Sequence, residues 1–200
     1  MFSGIYQSII ILVLVAIYCI TDWAMILRYD KQRRAEGSAK SWGFTITTII
    51  TAILLITQPT LLPWMSLYTS AWWGLVLQTA GILLALGGLG LHWWSRTCLQ
   101  QFYAERTEVQ PGHHLVDVGP YAYVRHPMFS SYFMLTGGFL LINPALATLI
   151  ITIYTFWDFA RAARRGEKLL AENLADYTDY MAHTPRFLPK FRNHSKGKQS

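Results

Sequence analysis

Long apolar runs separated by short polar stretches dominate the chain, and this pattern predicts an all-α integral membrane protein. Three runs are as long as the roughly 20 residues that an apolar helix needs to cross a bilayer. They cover about residues 2–27, 43–62 and 72–94. Two shorter runs, about residues 128–142 and 145–160, flank Asn143-Pro144 and predict a short helical hairpin. We therefore expect about five transmembrane helices, of which the last two are shallow, tilted or partly re-entrant.

The sequence after the fifth run predicts one cytoplasmic C-terminal helix over residues 161–182. Its apolar residues recur at helical spacing on a single face, as Leu170, Leu174, Tyr177 and Met181. Thr184-Pro185 ends this helix. The polar and basic residues 193–200 predict a disordered tail.

The positions of the basic residues predict the orientation of the bundle. All 17 Lys and Arg residues lie in the connections after the first and third runs or after the fifth run. The connections after the second and fourth runs contain none. By the positive-inside rule, the N-terminus lies outside, and residues 28–42, residues 96–127 and the C-terminus lie in the cytoplasm.

The composition supports a membrane protein and argues against nucleic-acid binding. Charged residues make up 14% of the chain, whereas about a quarter is typical of a soluble domain. The net charge of +6 follows the membrane topology, and no aromatic and basic surface module accompanies it. The two cysteines, Cys19 and Cys98, form neither a disulfide framework nor a zinc motif.

Small residues in the third run predict close helix packing. Gly81 and Ala85 lie four positions apart, and Gly87-Gly88 and Gly90 follow. The glycines do not form a dinucleotide-binding motif, because neither a strand nor a suitably spaced acidic residue accompanies them. We expect Gly137-Gly138 to serve the same packing role in the fourth run.

The segment 113–127 holds the densest group of polar side chains between two apolar runs. Read as a simple connector, it contains two turns and starts the fourth helix at Pro127, where the missing amide hydrogen costs nothing. Arg125 then lies beside a helix N-terminus, which prefers an anion, so its position predicts an anionic partner. The histidines His113, His114 and His126 lack the spacing of a zinc site, so we expect no metal.

Ordered motifs in the second half resemble the isoprenylcysteine carboxyl methyltransferase and phospholipid methyltransferase superfamily. The first set is His113-x-Leu115-Val116, Gly119-x-Tyr121 and Arg125-His126-Pro127. The second set is Glu167-x-x-Leu170, Tyr177-x-x-Tyr180 and Arg186-x-x-Pro189. The chain departs from the family pattern where Phe129 replaces a tyrosine and Gly166 replaces the first of two glutamates, and a Phe-Gly pair before the tyrosine repeat is missing.

The resemblance implies a membrane methyltransferase that uses S-adenosylmethionine. It implies a single membrane domain in which residues 1–95 form a three-helix part and residues 96–192 form the cofactor-binding core. The implied cofactor-binding residues are His113, Leu115, Val116, Gly119, Tyr121, Arg125, His126, Pro127 and Glu167. The implied catalytic residues are Glu167, Arg164 and Arg161, of which an arginine would face an anionic group of the substrate.

The resemblance also implies a lipophilic partner held in the membrane, with a carboxylate or thiol as the methyl acceptor. A phospholipid amine is the alternative acceptor. An NADPH-dependent membrane reductase and a non-catalytic membrane protein are alternatives of other classes. Glu167 could instead pair only with Arg164 or Lys168 on its own helix, and Asp22 and Asp158 are interpreted as interface groups or local arginine partners.

Overall fold

Helices form the fold of this protein, which we describe from a computed structural model over residues 2–29, 42–67, 72–100 and 115–189. The α-helices of the described residues are α1 (Ile5–Tyr29), α2 (Trp42–Leu61), α3 (Trp72–Leu99), α4 (Pro127–Ile142), α5 (Leu146–Asn173) and α6 (Tyr177–His183). Two short 3₁₀ turns cover Pro63–Met65 and Gly119–Ala122. The described part of the chain contains no strand apart from an isolated bridge between Ser66 and Ala145. The all-α prediction is confirmed.

Helices α1 to α5 run alternately up and down, so their ends meet in two groups. At one end, Ser8 near the start of α1 lies 2.7 Å from Thr60 near the end of α2, joined through their hydroxyl oxygens. At the other end, the His92 and Asp22 side chains approach to 3.5 Å near the last turns of α3 and α1. We call the end that holds Ser8 and Thr60 the amide end, and the end that holds His92 and Asp22 the carboxylate end.

Buried amides hold the amide end together. Gln7 of α1 and Gln78 of α3 both donate from Nε2 to the carbonyl oxygen of Ile142, at 3.0 and 3.2 Å. Asn143, at the turn between α4 and α5, donates from Nδ2 to Oε1 of Gln58. Because these polar groups are buried and satisfy one another, they fix the ends of α1 to α4 in one arrangement.

Glycines allow α3 and α4 to pack with their backbones almost in contact. A Cβ atom added to Gly81 would lie 2.7 Å from the carbonyl oxygen of Gly138. One added to Gly88 would lie 2.9 Å from the carbonyl oxygen of Ser131, and one added to Gly138 would lie 2.6 Å from that of Gly81. The prediction that small residues permit close helix packing here is confirmed.

Three of the described helices are long and apolar enough to cross a membrane, namely Ile5–Arg28, Trp72–Leu99 and Leu146–Asn173. The apolar stretches Ile46–Leu61 and Pro127–Ile142 are shorter. The expectation of a short fifth helix was wrong, because α5 extends for 28 residues. The predicted turn at Asn143-Pro144 is correct, since α4 ends at Ile142 and α5 begins at Leu146.

The predicted single helix over residues 161–182 was also wrong. Residues 161–173 continue α5 without a break, and the backbone then becomes extended at Leu174, with φ −122° and ψ 114°. A separate short helix, α6, begins at Tyr177. The spacing of apolar residues on either side of Leu174 is compatible with one continuous helix. The residues after α6 instead contact the residues just before α4, so the chain changes direction at Leu174. The predicted tail, residues 193–200, lies outside the described residues.

Candidate functional site

A tight turn brings the chain over the end of α3 before it enters α4. Gly119 begins this turn with φ +61°, in the left-handed region that glycine adopts without strain. A Cβ atom there would lie 2.6 Å from Sγ of Cys98 and 3.2 Å from Nε1 of Trp94. Pro120 and Tyr121 follow and are buried. Glycine is therefore required at this position for both conformation and space.

Pro127 is the first residue of α4, as predicted, and His126 precedes it as the N-cap residue. The His126 side chain makes no capping bond, so its imidazole is available for another partner. The backbone N–H groups of Arg125 and His126 donate to the carbonyl oxygens of Pro185 and Arg186, at 2.9 and 3.0 Å. The start of α4 is thus tied to the chain that follows α6.

The Glu167 carboxylate lies at the centre of a group of four side chains that we call the carboxylate cluster. Its Oε1 accepts bonds from Nε of Arg125 at 3.0 Å, Nε2 of His126 at 3.0 Å and Nε of Arg186 at 2.9 Å. Its Oε2 accepts from Nη2 of Arg186 at 2.5 Å. The Glu167 side chain is only 7% exposed, so these bonds replace its hydration.

The cluster carries a formal charge of +1 with a neutral imidazole, because two guanidiniums face one carboxylate. An ionised carboxylate only accepts hydrogen bonds, so Nε2 of His126 must carry the proton it shares with Glu167. Nδ1 of His126 is then the acceptor nitrogen of the ring. The anionic partner that the position of Arg125 predicts is therefore Glu167.

Neighbouring groups keep fixed protonation states around neutral pH. The hydrogen bond to Glu167 raises the pKa of Arg186, and the charge of the carboxylate adds to this effect. Burial, followed by the negative charge of Glu167, raises the pKa of Tyr177 to about 12. Both side chains therefore remain protonated near pH 7.

Residues 180–187, which we call the C-terminal segment, dock on the turn and on the start of α4. Nη1 of Arg125 donates to the carbonyl oxygens of Met181 and Thr184, at 2.8 and 2.6 Å. The Tyr180 hydroxyl donates to the carbonyl oxygen of Tyr121 at 2.5 Å. These bonds explain why the chain leaves α5 at Leu174, since a straight helix would carry Tyr180 away from this turn.

The structure brings together three of the predicted site residues, Arg125, His126 and Glu167. Leu115 and Val116 are half-buried before the turn, Tyr121 is buried in it, and Pro127 is buried at the start of α4. His113 lies outside the described residues. Arg161 and Arg164 lie on α5 before Glu167 and are exposed. The Arg161 guanidinium lies 5.4 Å from the centre of the Trp157 ring.

The alternative in which Glu167 pairs only with neighbours on its own helix was wrong. The partners of Glu167 come from the residues just before α4 and from the C-terminal segment. Lys168 instead lies 4.0 Å from Glu172. Arg186 is a site residue to which the sequence analysis gave no role. The motif Arg186-x-x-Pro189 was visible, but nothing in the local sequence pairs it with a residue 19 positions away.

Two further observations complete the site. Phe129, where the superfamily usually has tyrosine, stacks on His126 with ring centres 5.3 Å apart and planes 8° apart. Among the described residues, no group of three or more His, Cys, Asp or Glu side chains could hold a metal ion.

Sequence comparison matches residues 81–172 to the isoprenylcysteine carboxyl methyltransferase (ICMT) family. The match supports this family for that part of the chain, 92 of its 200 residues. No curated protein matches the chain. The ICMT region covers most of α3, the whole of α4 and α5 to one position before its end, so it contains Arg125, His126 and Glu167. The match to this family suggests a membrane methyltransferase. Helices α1 and α2 and the side chain of Arg186 lie outside the matched region.

Proposed function

We propose that this protein transfers a methyl group from S-adenosylmethionine to a lipophilic acceptor at the carboxylate end of the bundle. The observation that carries the proposal is the carboxylate cluster, which joins the start of α4, α5 and the C-terminal segment and has three of its four side chains within the ICMT region. When bound, S-adenosylmethionine supplies an activated methyl group on a sulfonium centre.

The charges of the cluster fit this cofactor. The cofactor contains a carboxylate, and a guanidinium excess of one charge attracts such a group. The Arg186 side chain is 37% exposed, so it has donors that face outward as well as those bound to Glu167. Tyr123, an exposed ring in the same turn, offers a face for a sulfonium cation, worth about 0.5–1 kcal/mol at such a site.

Glu167 acts as a positioning residue in this proposal. Its carboxylate is bound by two guanidiniums and an imidazole N–H, so taking up a proton would forfeit these charge-assisted bonds. Glu167 is therefore a poor general base. Its role is to hold Arg125, His126 and Arg186 in fixed directions, and positioning of this kind accounts for a large part of the barrier reduction in many enzymes.

The absence of a free base at Glu167 supports an acceptor that is already nucleophilic. A carboxylate or a thiolate attacks a sulfonium without giving up a proton, whereas an ammonium group needs a proton acceptor first. Charge is also neutralised in that reaction, which favours a site shielded from water. We therefore propose a lipophilic carboxylate as the acceptor, or a thiol that first loses its proton to water and attacks as the thiolate, entering from the bilayer.

Arg164 and Arg161 are the proposed contacts for the anionic group of the acceptor. They precede Glu167 on α5 by three and six positions, which places Arg164 about 60° and Arg161 about 120° around the helix from it. Both are exposed. In the proposed orientation, with the N-terminus outside, they lie on the cytoplasmic side of the membrane together with the carboxylate cluster.

Calorimetry with S-adenosylhomocysteine tests the cofactor site. We expect Glu167→Gln and His126→Ala in detergent to lower the affinity at least about tenfold, or about 1.4 kcal/mol. The matched control is Glu172→Gln, an exposed glutamate on the same helix, which should retain the parent affinity. Parent-like affinity in both site variants would refute the proposal.

Labelled-methyl transfer to a lipid extract tests the acceptor contacts. Arg161→Gln and Arg164→Gln should retain binding of S-adenosylhomocysteine while transfer falls, because these arginines are proposed to meet the acceptor. Transfer unchanged in the double variant would remove both residues from the acceptor site. Tight binding of reduced nicotinamide with no binding of S-adenosylhomocysteine would instead indicate a reductase.

A further inference from the structure

Two ionisable side chains face each other between α1 and α3, away from the carboxylate cluster. His92 and Asp22 each lie seven residues before the end of their helices, or about 10 Å along the axis. Both helices are long and apolar enough to cross a membrane. Ionisable residues at such positions are costly and are typically retained for binding or transport. We call His92 and Asp22 the intramembrane pair.

The pair is close but not hydrogen-bonded. Nε2 of His92 lies 3.5 Å from Oδ1 of Asp22, beyond the 2.7–3.2 Å typical of such bonds. The His92 side chain is 4% exposed, and neither of its ring nitrogens has a hydrogen-bond partner among the described residues. Oδ1 of Asp22 is buried and also lacks one there. Buried polar atoms of this kind ordinarily have partners, so these three indicate a missing group.

Aromatic rings flank His92 and form a row from it to the carboxylate cluster. The rings of Tyr18 and Tyr132 lie 5.0 and 5.4 Å from the His92 ring, centre to centre. Phe159 stacks on Tyr132 at 4.9 Å and on Phe129 at 4.9 Å, and Phe129 in turn stacks on His126. An apolar molecule lying along this row of rings would reach from the pair to the proposed cofactor site.

Part of the Asp22 side chain reaches the outer surface of α1, although its Oδ1 is buried beside His92. The Asp22 side chain is 23% exposed, and Trp23 beside it is 63% exposed. Cys19, one turn earlier, is also exposed. Because α1 is an apolar helix, the medium at this surface is the bilayer, and a ligand that reaches Asp22 is soluble in the membrane.

We propose that the intramembrane pair binds the hydroxyl group of a membrane-soluble alcohol or phenol. A hydroxyl can donate to Oδ1 of Asp22 while it accepts from the N–H of His92, so one group satisfies both residues. An anionic group is repelled by Asp22, and a cationic group loses its hydration at much greater cost than a neutral one. This inference concerns binding and does not require methyl transfer.

Photolabelling in lipid nanodiscs tests the proposal, with a diazirine derivative of a long-chain alcohol as the probe. We expect adducts on α1 and α3 near the pair. The unlabelled alcohol should compete at about tenfold lower concentration than its methyl ether, because the ether cannot donate to Asp22. A second comparison, of an alkylphenol with its methyl ether, distinguishes a phenolic ligand from an aliphatic one.

The variant Asp22→Leu should abolish the difference between alcohol and ether, because it removes the acceptor that only the alcohol uses. The variant His92→Phe should weaken binding of both and retain the difference, because either oxygen can accept from His92. Leu is close to Asp in size, and Phe retains a ring between Tyr18 and Tyr132, so at least one should fold. The matched control Thr79→Val, at an exposed position of α3 near the amide end, should retain the difference.

Equal competition by alcohol and ether in the parent would overturn the proposal and indicate a trapped water at the pair. Stronger competition by the corresponding amine would also overturn it. Titration of the same preparations with S-adenosylhomocysteine separates the two proposals. If the parent protein prefers the alcohol over the ether but does not bind S-adenosylhomocysteine, the proposed function is refuted and the inference about the intramembrane pair is not.

Discussion

The contact between α3 and α4 is tight enough that one methyl group should weaken it. In Gly138→Ala, the new Cβ would lie 2.6 Å from the carbonyl oxygen of Gly81 and 2.8 Å from Cβ of Ala85. A Cβ cannot rotate away, and its neighbours are backbone or Cβ atoms, so the two helices must separate. Overpacking of this kind costs about 1–3 kcal/mol.

The matched control is Gly90→Ala, on the same pair of helices. A Cβ atom on Gly90 would meet nothing within 4 Å. Replacing glycine by alanine inside a helix by itself stabilises by about 1 kcal/mol. This gain is common to both variants, so the difference between them isolates the packing cost. We expect Gly138→Ala to be less stable than Gly90→Ala by about 1–3 kcal/mol.

The measurement is the free energy of unfolding of each variant, from titration of detergent-purified protein with sodium dodecyl sulfate. Gly90→Ala should unfold at a higher detergent fraction than the parent, because the helix gains stability without a clash. Gly138→Ala should unfold at a lower fraction than Gly90→Ala. Equal unfolding free energies in the two variants would refute the close backbone approach of α3 and α4.

Three other substitutions test the contacts around the site and at the amide end. Arg186→Gln should speed hydrogen exchange in the C-terminal segment, because it loses bonds to Glu167 worth about 1.5–3 kcal/mol each; unchanged exchange would contradict the docking. Tyr180→Phe should lower the free energy of unfolding by about 0.5–1.5 kcal/mol through loss of one hydrogen bond to the turn before α4. Asn143→Leu should lower the free energy of unfolding by about 1–3 kcal/mol, because the buried amide of Gln58 on α2 loses its partner. A parent-like free energy of unfolding in Tyr180→Phe or in Asn143→Leu would refute the corresponding contact.

The sequence predicted those parts of the fold that depend on local pattern. The apolar runs located α1 to α4 because each helix must place apolar side chains toward its neighbours or the bilayer. Asn143-Pro144 marked a turn because proline cannot continue α4, and Pro127 marked the start of that helix. In the same way, the small residues of α3 predicted close packing without information about its partner.

The break in α5 could not be predicted in this way. The spacing of Leu170, Leu174, Tyr177 and Met181 satisfies the helical period across the break. The end of α5 depends on two hydrogen bonds between residues more than 50 positions apart. The Tyr180 hydroxyl donates to the carbonyl oxygen of Tyr121, and the Met181 carbonyl oxygen accepts from Arg125. Such contacts outweigh the small differences in local helix propensity, and no local pattern reports them.

Polar partners inside the bundle were hidden for the same reason. Gln7 donates a hydrogen bond to the carbonyl oxygen of Ile142, 135 positions later, and Asp22 lies beside His92. In the sequence, each is a single polar residue in or beside an apolar run. Which of them meet depends on the depth and rotation of each helix, and both are set by packing with the neighbouring helices.

The balance of charge at the carboxylate cluster depends on a residue outside the ICMT region. Within residues 81–172, Arg125 and Glu167 neutralise each other, and His126 adds no charge when its imidazole is neutral. Arg186 makes the cluster positive, and it reaches Glu167 only because the chain turns back at Leu174. If a positive cluster is what attracts the carboxylate of the proposed cofactor, the break in α5 is as necessary for binding as Glu167 itself.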